Sequence, residues 1–276
     1  MALNSVNTNF GAAVALQNLN KTNADLATTQ NRINTGLKVS SAKDNGAIYA
    51  IAQSQRADIT ALNAVSQSLS RGQSVVDVAL AAGESISDML GQLKEIAVSL
   101  SDTGLNSTSR DALSDSYKSI VDQIDAAAKG ATFNGINLIS GASDAKDLVS
   151  ISGVDGSSIT IAKVDMSKAS SAMASIATAP TSASAANSML SKIDAAINDV
   201  SSSLSKLGTG SKQLENQASF VAKLSDSMEA GVGNLVDADL AKESSRLQAL
   251  QTKQQLGIQA LAIANQSTST VLSLFR

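Results

Sequence analysis

The side chains that run most enzymes are missing from this chain. Its 276 residues include no His and no Cys. Ser–His and Cys–His nucleophiles are therefore impossible, and so are metal sites built on His or Cys. Carboxylates are the next resource. Asp144, Asp147, Asp155 and Asp165 lie close enough in sequence to suggest a calcium loop. They lack the alternating oxygen ligands, the Gly and the distal Glu that such a loop uses. Asp237 and Asp239 stand just before an apolar-periodic stretch and read as caps of the following helix, where a carboxylate is favourable. No glycine-rich phosphate cradle is present. The reading is a chain that is not an enzyme, with no catalytic residue, no cofactor and no metal.

The elements carrying these residues explain the lack of chemistry. Hydrophobic residues make up 43% of the chain but aromatics only 2%, so the apolar content is almost all Ala, Val, Leu and Ile. That suits thin helix-on-helix seams better than a thick globular core. The one proline is Pro180, which leaves room for very long helices, because proline breaks helix interiors. A formal charge of −3 offers no basic patch for nucleic acid. No apolar run approaches the ~20 residues that span a bilayer. Met1 to Gln17 lacks the basic start and apolar block of a secretory signal. Alone this favours a cytoplasmic address, but it leaves open export by a route without a cleaved signal.

Apolar spacing predicts three parts. From residue 1 to about 139 the pattern is helical. Leu16, Leu19, Asn23, Leu26, Gln30, Ile33 and Leu37 alternate steps of three and four, as do Ile59, Leu62, Leu69, Val76, Ala79, Gly83, Ile86, Leu90, Leu93, Ala97 and Leu100 with polar fillers. Leu113, Tyr117, Ile120, Ile124 and Ala127 form a third such run. This is the seam of a coiled coil, and Asp58 to Leu100 amounts to roughly 65 Å of helix at ~1.5 Å per residue. From about 140 to 187 the chain turns rich in Ser, Ala and Gly. Val149-Ser150-Ile151 and Ile159-Thr160-Ile161 flank Val154-Asp155-Gly156, the signal of a hairpin. The expectation is a small exposed insert that tolerates replacement of residues 143–178. Helical spacing resumes with Ile193, Ile197, Val200, Leu204, Leu207, Leu214, Ala218, Val221 and Leu224. Gly231 and Gly233 interrupt it, and it continues from Leu247 to Phe275. The predicted fold class is mainly α: long antiparallel helices forming a coiled-coil rod, with a small β-containing central insert.

Charge is absent where a solvated helix normally shows it. Met1 to Asn20 carries no charged side chain, and neither does Gln254 to Phe275. Uncharged helices suit a crowded site where identical copies pack side by side, since a charge there would face its own copies in low dielectric. Frayed, disordered ends are the alternative, but they do not account for the heptad step kept at both ends. Periodicity alone would equally suit a spectrin-like rod, a chemoreceptor segment or a secreted needle protein.

Four separated motifs, in order, carry a more specific resemblance. Arg32-Ile33-Asn34-Thr35-Gly36-Leu37-Lys38-Val39-Ser40-Ser41-Ala42-Lys43-Asp44-Asn45 resembles the N-terminal signature of bacterial flagellins. Leu93-Lys94-Glu95-Ile96-Ala97-Val98 resembles that family's first rod-helix motif, and Thr132-Phe133-Asn134-Gly135 with Leu138 its Phe-Asn-Gly turn. Ile263-Ala264-Asn265-Gln266 followed by Val271-Leu272-Ser273-Leu274-Phe275-Arg276 resembles its C-terminus. The resemblance covers roughly residues 1–140 and 188–276. It implies a self-assembling subunit of the helical flagellar filament, secreted through the flagellar type III export gate and serving swimming motility. The competing reading is a non-assembling secreted coiled-coil rod, such as a hook-filament junction protein or an adhesin.

The same resemblance implies a division of the chain. Residues 1–40 and 236–276 are the inner-tube helices, 41–139 and 188–235 the rod, and 140–187 a surface-exposed variable insert. The residues it places in the filament core are Leu3, Val6, Phe10, Leu16, Leu19, Leu26, Ile33, Leu250, Leu261, Ala264, Val271, Leu272 and Phe275. Ser157, Ser158, Thr160, Ser167, Ser170, Ser171 and Thr178 become O-glycan acceptors, against a plain solvated loop as the alternative. The partners it implies are other copies of the chain, an export chaperone, the export gate, the filament cap and junction proteins, with no nucleic acid and no membrane insertion.

One implied partner is expected to bind poorly. Many flagellins share a rod-helix patch read by the animal innate immune flagellin receptor. The matching positions here are Gln92, Ile96 and Ser116. Ile96 keeps the apolar contact, but the Arg and Glu of the pattern are gone. Gln cannot replace the planar fork of Arg, and losing one paired charge from a buried interface costs ~2–5 kcal/mol. That is more than about tenfold in affinity, and Gln92→Arg combined with Ser116→Glu is expected to raise reporter signalling in cells carrying the receptor. An unmodified monomer already as active as an enteric flagellin would remove the assignment.

Overall fold

The structure of the chain is a computed structural model describing residues 9–141, 145–168 and 170–273, with side chains up to residue 266. In chain order the elements are α1 (Phe10–Thr35), α2 (Gly46–Leu100), α3 (Ser107–Gly130), β1 (Thr132–Phe133), β2 (Ile136–Asn137), β3 (Leu148–Ile151), β4 (Ser158–Ile161), α4 (Ser171–Ala174), α5 (Ala183–Val236) and α6 (Leu240–Ser273). They form two compact units. One holds both chain ends, up to Ala57 and from Ser227 onward; the other is Asp58–Asp226. The predicted fold class stands: long helices, with short strands confined to the middle of the chain.

Within Asp58–Asp226 the long helices meet along the expected seam. Leu62, Leu69, Val76, Ala79, Ile86, Leu90, Leu93, Ala97 and Leu100 of α2 are buried. So are Ile193, Val200, Leu207, Leu214 and Val221 of α5, one every seven residues, the repeat that keeps a seam facing its partner. The two run antiparallel: Gly72 lies against Leu214, Gly83 against Leu204, and Lys94 pairs with Asp194 at 2.6 Å. Helix α3 contributes Tyr117, Val121, Ile124 and Ala128. The Tyr117 hydroxyl donates to the Ile176 carbonyl at 2.9 Å, and burial pushes its pKa up to about 12.

Three expectations change. The helical pattern before residue 139 ends at Gly130, and residues 132–137 form a two-residue hairpin. Asn134 and Gly135 both have positive φ, 50° and 78°, the turn that short hairpins prefer. Gly135 sits in the hairpin turn, and Gly36 ends α1 at φ 73°. Gly231 and Gly233 do not interrupt α5, which runs through both to Val236; burial of Val232 and Val236 holds the helix there.

The insert differs most. The predicted hairpin is present, with β3 and β4 antiparallel and Val149 opposite Thr160. Its outer residues Val149, Ile151 and Val154 are exposed, but Leu148, Ser150 and Ile161 are buried. The Ile151 N–H donates to Ser68 Oγ at 3.1 Å, and Gln217 Nε2 donates to the Ser152 carbonyl at 2.8 Å. Met166, Met173 and Ile176 are buried in the same region. Tolerance of replacement rested on few buried contacts, and these residues contradict that premise. Removing 143–178 would uncover α2 and α5.

Glycines make room for this docking. A Cβ at Gly210 of α5 would stand 2.9 Å from Ile161 Cδ1, with two more Ile161 carbons at 3.2 Å. Two residues away, a Cβ at Gly208 would meet nothing within 4 Å. Gly→Ala inside a helix stabilises by ~1 kcal/mol through propensity, while overpacking costs about 1–3 kcal/mol. Gly208→Ala is thus expected to raise the melting temperature followed by circular dichroism, and Gly210→Ala to lower it. The same sign for both would refute the close approach of Ile161 to α5.

Candidate assembly interface

Where the structure describes them, from Phe10 and up to Ser273, the uncharged stretches are helical, and α1 and α6 pair with each other. Asn9 caps α1, its Oδ1 accepting from the Ala12 N–H at 3.0 Å. Its Nδ2 donates across to the Ala264 carbonyl at 2.8 Å. Gln254 Nε2 donates to Asn23 Oδ1 at 2.8 Å, and a Cβ at Gly257 would touch Leu19 at 3.2 Å. Further along, Arg32 meets Glu243 at 3.2 Å. Rising numbers on α1 meet falling numbers on α6, so the pair is antiparallel. Leu250 and Thr29 are buried in the seam, and Leu19, Leu26, Ile33, Leu261 and Ala264 are half-buried.

Two helices are too narrow to cover all that they carry. Phe10 is 77% exposed, Ile263 68%, Leu256 58% and Ile258 54%, with Leu16 and Val14 close behind. The predicted core residues thus separate. Leu19, Leu26, Ile33, Leu250, Leu261 and Ala264 lie in the α1–α6 seam, while Phe10 and Leu16 face outward. Leu3, Val6 and Phe275 lie outside the described residues, as do the side chains of Val271 and Leu272. Val14, Leu256, Ile258 and Ile263 escaped the seam-based reading. Their signal was an apolar residue off the seam inside a charge-free stretch. Fully burying a side chain of this size contributes ~1.5–3 kcal/mol. Together the six outward residues could supply on the order of 10 kcal/mol, comparable to the ~4–15 kcal/mol cost of association.

The signature motif builds the junction beside this pair. After Gly36, the Lys38 N–H donates to the Val236 carbonyl at 2.7 Å, and the Ala238 N–H donates back to the Gly36 carbonyl at 2.8 Å. Leu37 and Asp237 form an antiparallel bridge. Of the two acids read as caps, Asp239 does cap α6, accepting from the Lys242 N–H at 3.1 Å; Asp237 belongs to the bridge instead. Asp44 accepts from the N–H and hydroxyl of both Ser40 and Ser41 at 3.0–3.2 Å, and Asn45 caps α2 through the Ile48 N–H. A cleft of about 500 Å³ lies here, lined by Arg32, Asp44, Glu243 and Arg246 among others.

The remaining candidates sit within Asp58–Asp226. Asp155 and Asp165 are occupied by local turns, accepting from the N–H groups of Ser157 and Ser167, and Asp147 accepts from the Lys163 N–H across the base of the β3–β4 hairpin; Asp144 lies outside the described residues. Ser157, Ser158, Thr160, Ser171 and Thr178 are exposed. Ser167 and Ser170 are 3% and 7% exposed, and the Ser170 hydroxyl caps α4 through the Met173 N–H. A glycan has no room at either, so both drop out as acceptors. Gln92 is exposed and Ile96 half-buried on α2, and the exposed Ser116 on α3 donates to the Ala112 carbonyl of its own helix. Among the described residues no helix is long and apolar enough to cross a membrane.

Comparison with known proteins gives a consistent picture. Residues 6–144 match the bacterial flagellin N-terminal helical region, and residues 190–275 the bacterial flagellin C-terminal helical region. The chain is 54% identical over 276 residues to flagellin FljK of Caulobacter vibrioides, covering all of both chains. It is 38% identical to a flagellin of Brucella melitensis, covering 99% of each. In structure it resembles a chain described as a flagellar hook-associated protein of Vibrio parahaemolyticus, with a TM-score of 0.57 at 13% identity, over 70% of this chain and 100% of that one. That likeness concerns the fold alone.

The Asp44 turn carries a pH signature. The Ser41 N–H first and the Ser40 hydroxyl next hold its carboxyl below the ordinary 3.8. A group lowered on folding contributes stability that is present above its unfolded pKa and lost as pH falls through the folded one. The turn is therefore expected to hold at neutral pH and to loosen only below 3.8. A titration followed by NMR should place the Asp44 midpoint under that value. A midpoint at or above it would contradict the four hydrogen bonds.

Proposed function

The chain belongs to the bacterial flagellin family and is a structural subunit of the helical flagellar filament; from that premise we propose that the α1–α6 pair is its core assembly element. In this reading α1 and α6 of many copies line the inner tube, α2, α3 and α5 build the outer rod, and the outer face of the β3–β4 hairpin meets solvent. The observation that carries it is apolar exposure without charge: Phe10, Val14, Leu16, Leu256, Ile258 and Ile263 all lie in the charge-free ends. Identical copies can cover such residues without bringing like charges together.

Several finer features follow from the family and are proposed with it. The chain leaves the cell through the flagellar type III export gate, escorted by a chaperone, and adds beneath a filament cap on a junction protein. Relatives form an extracellular filament, and this chain takes the same address. Ser157, Ser158, Thr160, Ser171 and Thr178, being exposed, are the proposed O-glycan acceptors. Gln92, Ile96 and Ser116 form a degenerate receptor patch. The alternative of a non-assembling junction protein or adhesin has no observation in its favour.

Seeded polymerisation tests the core. Deleting residues 1–20 or 254–276 should leave a soluble helical monomer that does not extend seeds. Leu261→Asp should do the same, because a buried carboxylate costs several kcal/mol in each copy. Ser158→Asp on the exposed hairpin should polymerise normally. Equal polymer yields from Leu261→Asp and Ser158→Asp would show that the core lies elsewhere.

A further inference from the structure

Charge is distributed unevenly between the two compact units. Residues 58–226 hold 18 acids and 12 bases, and the remainder holds 6 acids and 9 bases, together the 24 and 21 of the chain. The excess on each side is arranged in stripes. On α2, Asp77, Glu84, Asp88 and Glu95 are spaced seven, four and seven residues apart, which places them on one helix face. All four are exposed, and no base interrupts the face. On α6, Lys242, Arg246 and Lys253 are spaced four and seven apart, again on one exposed face. None of these seven side chains has an ion-pair or hydrogen-bonding partner among the described residues. Of the acids that line the same cleft as Lys242 and Arg246, Glu243 is engaged with Arg32, Asp44 with its two serines and Asp239 with the start of α6, which leaves Asp237 as the one acid beside them whose carboxylate is not so held.

We propose that the acidic stripe of α2 is a docking surface for the basic stripe of α6 on a second copy of the chain. This rests on reading the chain as a filament subunit. The spacings correspond. Four residues of helix rise ~6 Å and seven rise ~10 Å, so Lys242, Arg246 and Lys253 match Glu84, Asp88 and Glu95 in parallel, or Asp88, Glu84 and Asp77 in antiparallel. Glu84 and Asp88 take part in both. The basic stripe is also continuous with the apolar assembly face: Lys253 leads along the same flank of α6 to Leu256 and Ile263, both exposed. Like charges stacked along one face destabilise an isolated helix, so each stripe gains by meeting its opposite. The apolar ends then give the filament its cohesion, and the stripes set the register in which copies dock.

Charge swapping on the full chain tests this by the rate of seeded elongation. Glu84→Lys with Asp88→Lys, and separately Lys242→Glu with Arg246→Glu, should each slow elongation at low ionic strength by at least about tenfold. Combining all four changes in one chain restores opposite charges and should bring the rate back to within about threefold of the original. Rising salt should narrow the differences, because exposed charges are screened beyond ~10 Å at 0.1 M. Single-stripe reversals that elongate normally would overturn the proposal, and so would a four-fold variant that stays slow with unchanged helicity and melting temperature. If that variant does not fold, the milder Glu84→Gln with Asp88→Gln decides: its elongation should lose most of its salt dependence, and an unchanged dependence overturns the pairing. Normal polymer from a stripe-reversed chain that fails only to support swimming would assign the stripe to a different partner and also overturn it. An unaltered chain that does not extend seeds at all would instead refute the filament reading.

Discussion

Two helices side by side can bury one face each, and α1 and α6 carry more apolar residues than that. This limit governs the rest of the molecule. Adding charge to the outer faces would make the pair comfortable in water and useless in a crowded polymer. Leaving them apolar and uncharged makes the lone pair marginal, since helices in proteins draw most of their stability from packing. The six outward-facing apolar residues therefore leave apolar surface in water in the lone chain, which the proposed packing of copies would cover. Asn9, Asn23 and Gln254 supply hydrogen bonds across the seam without adding net charge, which keeps register in a helix pair whose apolar residues alone would slide.

The unit from Asp58 to Asp226 solves the opposite problem. Its seam is apolar and regular, with a buried apolar residue of α5 at each heptad. The regularity is broken where the hairpin docks, and the break is made by removing side chains. Gly72, Gly83 and Gly210 give Ser150, Met166, Leu204 and Ile161 a place against the helices. A helix interior normally loses ~1 kcal/mol at each glycine. Here the loss is offset by the apolar surface that β3, β4 and the following segment cover.

Much of this was legible in the residues. A seam of threes and fours names a coiled coil because few other arrangements bury such a pattern, and Val154-Asp155-Gly156 between alternating runs names a hairpin. The signature stretch was recognisable, and the structure gives its physical content: a left-handed Gly36 cap, a paired junction, a serine-wrapped Asp44 and an Asn45 cap. Less was legible where local pattern and tertiary packing disagree. Gly231 and Gly233 look like a stop, yet buried Val232 and Val236 carry α5 past them. The insert looks solvated because it is rich in Ser, Ala and Gly, yet those small residues let it lie close to two helices. Phe10 and Leu16 look like core residues by type, while their facing depends on where α6 lies, which no local pattern states.

The pairing of α1 with α6 has a consequence for time as well as for space. Asn9 touches Ala264, and Arg32 touches Glu243, contacts separated by more than two hundred residues. Contacts of such high contact order form slowly, because a long loop must close before they reward the chain. The hairpins and the turns of α2, α3 and α5 are local by comparison. By topology alone, the hairpins and helical turns would form before the α2–α5 seam, and that seam, closing about a hundred residues at Lys94 and Asp194, before α1 meets α6. A chain whose adhesive segments are the last to organise is less prone to assemble before it arrives where assembly is wanted.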